Sequence, residues 1–270
     1  MTEFTPLLIQ STATELIAPA ETNPGRTTFR ATTTAEGSGW VGLARLAPGA
    51  SWEEFRGHLR DMVSDDQERI VKGTAGLDAI ATLRGGAVIH PDLPAEYTVD
   101  LAEGRYVFFE YPDAVSAERP RHRFLAVRGP RRDMPEREPA GTVRAVRADD
   151  GAPRFEITGT PTSGRPLEFV NAMSRPQCVE AVLFPLPEGT GEDELAAYFA
   201  RFVDGSPEWP DNPPFDLSRG RGCLPLSSGQ QAVMDLPGEP GRYVVANWLK
   251  DAADGVRLVK RGQYRIVELA

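Results

Sequence analysis

Short apolar runs recur along the chain, separated by turns rich in glycine and proline. Runs such as GRTTFRATTT (residues 25–34) and GRYVFFEY (residues 104–111) have the length and aromatic or β-branched content of strands. Side chains alternate along a strand, so Tyr106, Phe108 and Glu110 share one face and Val107, Phe109 and Tyr111 the other. The period changes at two places. After Ser51, an N-cap with Glu54 at N3, Phe55, Leu59 and Met62 fall at helical spacing, and further on Leu195, Phe199 and Phe202 do the same. With 26 glycines and 24 prolines between the runs, the pattern predicts a mainly β protein with few helices.

The chain also resembles itself. Residues 43–62 align without a gap on residues 183–202, each a strand end, a Leu-x-x-Gly turn and an amphipathic helix. Residues 100–111 match residues 235–248 with two extra positions in the turn, and residues 25–34 correspond to residues 164–174. The order of segments is kept, which predicts a tandem duplication. The expected layout is a first domain over 1–130, a charged, proline-rich linker over 131–141, and a second domain over 142–270.

The repeated pattern is Gly-Arg-x-x-Phe, the Leu-x-x-Gly turn with its helix, then Asp-Leu-x-x-Gly-x-Tyr. It resembles bacterial cupredoxin-like domains. That resemblance implies two tandem Greek-key β-sandwiches, each with one short inserted α-helix. In copper-binding members a type 1 site takes one cysteine and two histidines, often with a methionine. Carried over position by position, the ligand places fall near Trp40, on Glu110 and in the loop 117–122 of the first half. In the second half they fall near Val179 and on Asn247, Leu258 and Gln263. The second half has no histidine and the first half no cysteine. The resemblance therefore implies a copper-free protein with no cofactor.

Composition narrows the partners. A net charge of −9 argues against nucleic acid and against a polybasic membrane contact. No apolar segment has the length of a membrane span, and no signal-like start is evident, so the expected location is cytoplasmic. The two cysteines, Cys178 and Cys223, are then expected to be reduced. Homo-oligomerisation is left open.

Candidate chemistry gathers at the former metal poles. Glu110 stands where relatives carry a cysteine, and is read either as a partly desolvated acid or base or as the partner of a nearby arginine such as Arg121. His90 and His122, in loops flanking the strand of Glu110, are read as its catalytic companions or as ordinary histidines. Trp40 and Tyr111 are expected as pocket walls. Asn247, Trp248, Cys178 and Gln263 are expected together in the second half as a ligand-contacting set, with Cys178 a buried thiol. The basic stretch 119–132 is read as an anion or partner patch or as a solvated loop. No phosphate loop, dinucleotide fingerprint, Cys-x-x-Cys pair or nucleophile elbow is present. These readings lead to a protein that binds a small molecule or a protein partner at a former metal pole or between the halves. The alternative is a cofactor-independent isomerase, cyclase or hydrolase using Glu110 with His90 or His122. A non-type-1 metal site built from the first-half histidines stands third.

Overall fold

The computed structural model describes residues 5–235 and 239–270. Residues 236–238, part of the lengthened turn in the second half, and residues 1–4 lie outside the described set. The first half runs β1 (Leu7–Ser11), β2 (Leu16–Ile17), β3 (Glu21–Thr22), β4 (Gly25–Thr33), β5 (Gly39–Leu46), α1 (Trp52–Met62), α2 (Gln67–Ile80), β6 (Ala81–Ile89), β7 (Ala95–Leu101), β8 (Gly104–Glu110), α3 (Tyr111–Ser116) and β9 (His122–Val127). The second runs β10 (Gly141–Arg147), β11 (Pro153–Gly159), β12 (Pro166–Asn171), β13 (Val179–Pro185), α4 (Glu192–Ala200), β14 (Arg221–Leu226), β15 (Gln231–Asp235), β16 (Gly241–Ala246) and β17 (Tyr264–Leu269).

Among the described residues these strands form an eight-stranded sheet, β11-β10-β12-β15-β7-β4-β1-β2, and a nine-stranded sheet, β17-β16-β13-β14-β6-β5-β8-β9-β3. The two sheets pack face to face. Phe29 of β4 and Phe108 of β8 meet edge to face across the gap at 5.2 Å. The pairings of one half recur in the other: β1 lies parallel to β4 as β10 does to β12, and β5 pairs with β6 and β8 as β13 does with β14 and β16. The halves join edge to edge, through β6 with β14 and β7 with β15. One buried cluster, from Ile9 to Leu269, fills the interior of both halves.

The helices sit on the outer face of the nine-stranded sheet. Ser51 caps α1, its Oγ accepting the Glu54 N–H at 3.1 Å, and Phe55, Leu59 and Met62 are buried as the spacing predicts. Leu195, Phe199 and Phe202, their matches at α4, are buried too. One helix per half is too few for the first half, which carries α1, α2 and α3. The missed helix is α2. Asp66 caps it, its carboxylate accepting the Arg69 N–H at 2.9 Å. Its packing face is made of Ile70, Gly73, Thr74 and Leu77, so small residues replace most of an apolar stripe. Gly73 lets α2 lie against α1; a Cβ there would come within 2.5 Å of the Asp61 Cβ.

Residues 131–140 have no regular secondary structure and Gly141 begins β10, but the segment is tied down. The N–H groups of Arg132 and Met134 donate to the carbonyls of Pro24 and Arg26, both at 2.8 Å, and Asp133 accepts the Arg26 N–H at 2.7 Å. It runs alongside the start of β4 instead of hanging between separate bodies.

Candidate functional site

Glu110 ends β8 on the interior face, and 2 % of it is exposed. Its Oε2 accepts the Ser11 hydroxyl at 2.7 Å and its Oε1 accepts the backbone N–H of Trp40 at 2.5 Å. Ser11 belongs to β1 and Trp40 to β5, so the carboxylate ties the two sheets together. Arg121 does not pair with Glu110 directly. Its guanidinium donates to Ser11 Oγ at 3.1 Å and forms an ion pair with Asp113, and that hydrogen bond is the main reason its pKa is raised. The expected arginine partner is thus one hydroxyl removed.

The matching pole in the second half is closed with neutral groups. Asn247 Nδ2 donates to Gln263 Oε1 at 2.7 Å, Gln263 Nε2 donates to Met173 Sδ at 3.2 Å, and Asn247 Oδ1 accepts the Leu249 N–H at 3.1 Å. The same Asn247 oxygen accepts the backbone N–H of Glu180 at 3.4 Å. Asn247 and Gln263 are fully buried. Amides satisfied in this way are committed to each other. Neither pole offers the thiolate and two imidazoles of a type 1 copper ion. Among the described residues no three His, Cys, Asp or Glu side chains gather as a metal site.

The histidines do not join Glu110. In the β8–β9 register His122 lies opposite Phe109, and paired residues share a face. His122 therefore points outward, stacked on Trp52 at 4.3 Å, with Nδ1 3.0 Å from the Pro120 carbonyl. His90 follows Ile89 of the interior cluster and reaches outward, its Nε2 2.7 Å from the Gly220 carbonyl. Both rings face away from the pole where Glu110 is bound, so the pairing of Glu110 with either is corrected. Cys178 is a buried thiol, as expected. It packs with Leu249 and Leu258 under the α1 layer, and burial pushes its thiol up to about 12. Cys178 and Cys223 are both buried and free, as expected of reduced thiols.

Three predicted binding residues do meet. Trp40, Tyr111 and Trp248 line one cavity of about 440 Å³ on the outer face of the nine-stranded sheet, where the halves join. Phe184, Trp209 and Arg257 complete much of its wall, with Glu180 among the lining residues. Register explains the gathering. Val41 pairs with Glu110, and one step beyond on each strand Trp40 and Tyr111 point outward. Val182 pairs with Ala246, and two steps beyond are Glu180 and Trp248. Each half thus supplies one such pair. Trp209 closes over Trp248, ring centres 4.7 Å apart.

The electrostatics of this cavity are unusual for an apolar site. Glu180 is 4 % exposed, and burial pushes its carboxyl up to about 7, against the opposing pull of the Trp248 backbone N–H and the Arg257 charge. Arg257, within reach of Asp65 at 3.7 Å and over the Phe202 ring at 5.2 Å, has its own pKa lowered by burial. The Tyr111 hydroxyl is raised well above its usual range, first by burial and then by the Glu180 charge. Among the described residues, the Tyr111 hydroxyl and the Trp248 indole N–H have no hydrogen-bond partner.

Glu180 was missed by the sequence reading. The signal was present: the gap-free alignment, run back three residues, sets Glu180 against Trp40. The copper place implied by the resemblance falls one residue away, near Val179.

The fold is a two-sheet β-sandwich of the cupredoxin-like kind, and neither of its two poles gathers a metal-binding set among the described residues. No protein-family model matches the chain, and no curated protein matches it. Solved structures do. Reduced auracyanin from Roseiflexus castenholzii is 18 % identical over 48 % of this chain and 96 % of its own, with a TM-score of 0.29. Auracyanin B is 18 % identical over 50 % of this chain and 92 % of its own, at 0.26. A multicopper oxidase is 10 % identical over 98 % of this chain and 88 % of its own, at 0.25.

Proposed function

We propose that this protein binds a small, apolar, ring-bearing molecule in the cavity at the seam of its two halves. The observation that carries this reading is an aromatic-walled cavity two of whose lining residues, Tyr111 and Trp248, hold buried polar groups without a partner among the described residues. Buried donors without acceptors are costly, and a bound molecule with an acceptor would relieve that cost. Apolar walls with a few polar groups are also the usual make-up of a small-molecule site. The recurrence of strand pairings supports a tandem duplication, with the site built from matched positions of both copies. The free thiols support a cytoplasmic location; no helix among the described residues is long and apolar enough to cross a membrane.

The test uses intrinsic fluorescence, because three of the four tryptophans, Trp40, Trp209 and Trp248, line the cavity. Bicyclic ketones, phenols and lactams titrated into the protein are expected to quench emission saturably. Trp248→Ala is expected to abolish the response with the far-ultraviolet circular dichroism unchanged. A panel that gives no saturable change, together with native mass spectrometry showing only the bare chain, would remove the proposal.

A further inference from the structure

We propose that the seam cavity is also a catalytic site, in which Glu180 moves a proton at a carbon next to the carbonyl of an apolar ketone while Tyr111 and Trp248 hydrogen-bond the oxygen. The inference rests on the cavity being a binding site and adds a reaction to it.

The residues that carry the groups required for enolisation line one space. A base must be a carboxylate that is free to accept, and among the described residues no lysine or arginine lies within ion-pair distance of Glu180. The Trp248 backbone N–H favours its charged form, and its two oxygens keep acceptor capacity to spare. The negative charge that develops on a carbonyl oxygen needs preorganised donors in a dry setting. The Tyr111 hydroxyl and the Trp248 indole N–H are two such donors, with no other commitment among the described residues. The aromatic walls accept an apolar body. An acid whose pKa lies near neutrality both takes and returns a proton readily, which supports the assignment.

The step balances without an oxidant or a co-reactant. The Glu180 carboxylate takes the proton from the α-carbon, and the C–H electron pair becomes the carbon–carbon double bond of the enolate. The carbonyl π pair moves onto oxygen, held by the Tyr111 O–H and the Trp248 N–H. The Glu180 carboxyl then returns a proton to the same carbon, giving exchange, or to a conjugated carbon, giving isomerisation. Glu110, proposed from sequence for this role, has both oxygens engaged; Glu180 takes its place.

The probe is 2-tetralone in deuterium oxide, with exchange of its α-hydrogens followed by proton NMR and binding followed separately by tryptophan quenching. Wild-type protein is expected to speed exchange by about a hundredfold over an equal concentration of acetate. Glu180→Gln, a near-isosteric change, is expected to remove that acceleration while quenching persists. Tyr111→Phe is expected to slow exchange by at least about tenfold, with ketone affinity changed much less. Quenching without accelerated exchange would overturn the catalytic proposal and leave the binding reading standing. Exchange equally fast in Glu180→Gln would overturn it as well. If the ketone neither quenches nor exchanges, and the wider panel is equally silent, the catalytic and binding readings fall together.

Discussion

The carboxylate of Glu110 accepts the backbone N–H of Trp40, and Asn247 accepts that of Glu180 in the matching place. The last residue of β8 in the first half, and the residue just after β16 in the second, each bond to the strand beside it, just where the chain turns outward to the cavity. Glu110→Ala is expected to cost about 2–4 kcal/mol, because it strands both the Trp40 amide and the Ser11 hydroxyl. Glu110→Gln keeps one acceptor and should lose about half as much. Urea unfolding at neutral pH measures both. An alanine variant as stable as wild type would show that the bridge holds nothing.

Two glycines stand at matched places, Gly86 opposite Gly42 and Gly222 opposite Val182. Gly86 and Gly222 both have φ +141°, and a Cβ would come within 2.1 Å of the Val41 carbonyl oxygen and 2.3 Å of that of Ala181. Register slips beside each, between Gly42 and Ala44 and between Val179 and Ala181. Gly86→Ala and Gly222→Ala are each expected to cost about 3 kcal/mol or more, from strain and backbone collision. Thermal melts would show it as a clear drop in Tm, larger than for alanine at Gly57, whose Cβ would meet nothing.

The folded state of this protein should hold its thiols inert. Burial pushes both Cys178 and Cys223 up to about 12, so almost no thiolate exists at pH 8. An aromatic disulfide reagent is expected to leave the native protein unmodified for hours and to label both cysteines at once in denaturant. Rapid labelling of one cysteine in the native protein would contradict this burial.

Glu180 gives the stability a pH dependence of unusual sign. Its folded carboxyl titrates near 7 and its ordinary value is 4.5, so between these pH values the folded chain holds more protons than the unfolded one. The charged groups facing it are Arg257 and, when ionised, Cys223 and Tyr111, of which the last two stay neutral here. Stability from this group is therefore full below about pH 4.5 and falls as pH rises through 7. Glu180→Gln should be more stable than wild type at pH 8, by an amount on the order of 3 kcal/mol, and nearly equal to it at pH 4.5. Unfolding curves of the two proteins at both pH values decide it.

Much of the framework was legible in the sequence because it depends on local period. The Ser51 cap, the stripes of α1 and α4, and the strand ends at Gly104 and Gly25 all follow from short-range pattern. Helix α2 was not legible, since Gly73 and Thr74 pack by being small and leave no stripe. The poles were half legible. Alternation put Glu110 inside, yet its partner Ser11 lies 99 residues away, and no local signal announces it. His90 and His122 lie in loops flanking the strand of Glu110, but facing is decided by register, and the Phe109–His122 pair turns one ring outward. Trp40, Tyr111 and Trp248 were named for the poles and belong to the cavity, one residue further along the same strands.

The joining of β6 to β14 and β7 to β15 makes the two halves one mechanical body. Backbone ladders cross the seam in both sheets, so the cavity above it does not open by a swing of one half against the other. The stretch between α4 and β14 adds Trp209 and Leu217 to the cavity wall. A chain cut within residues 131–141 would yield two fragments, each with a matching pair of bare strand edges. Such pieces are complementary, and their reassembly from separate polypeptides would rebuild the cavity along with the ladder.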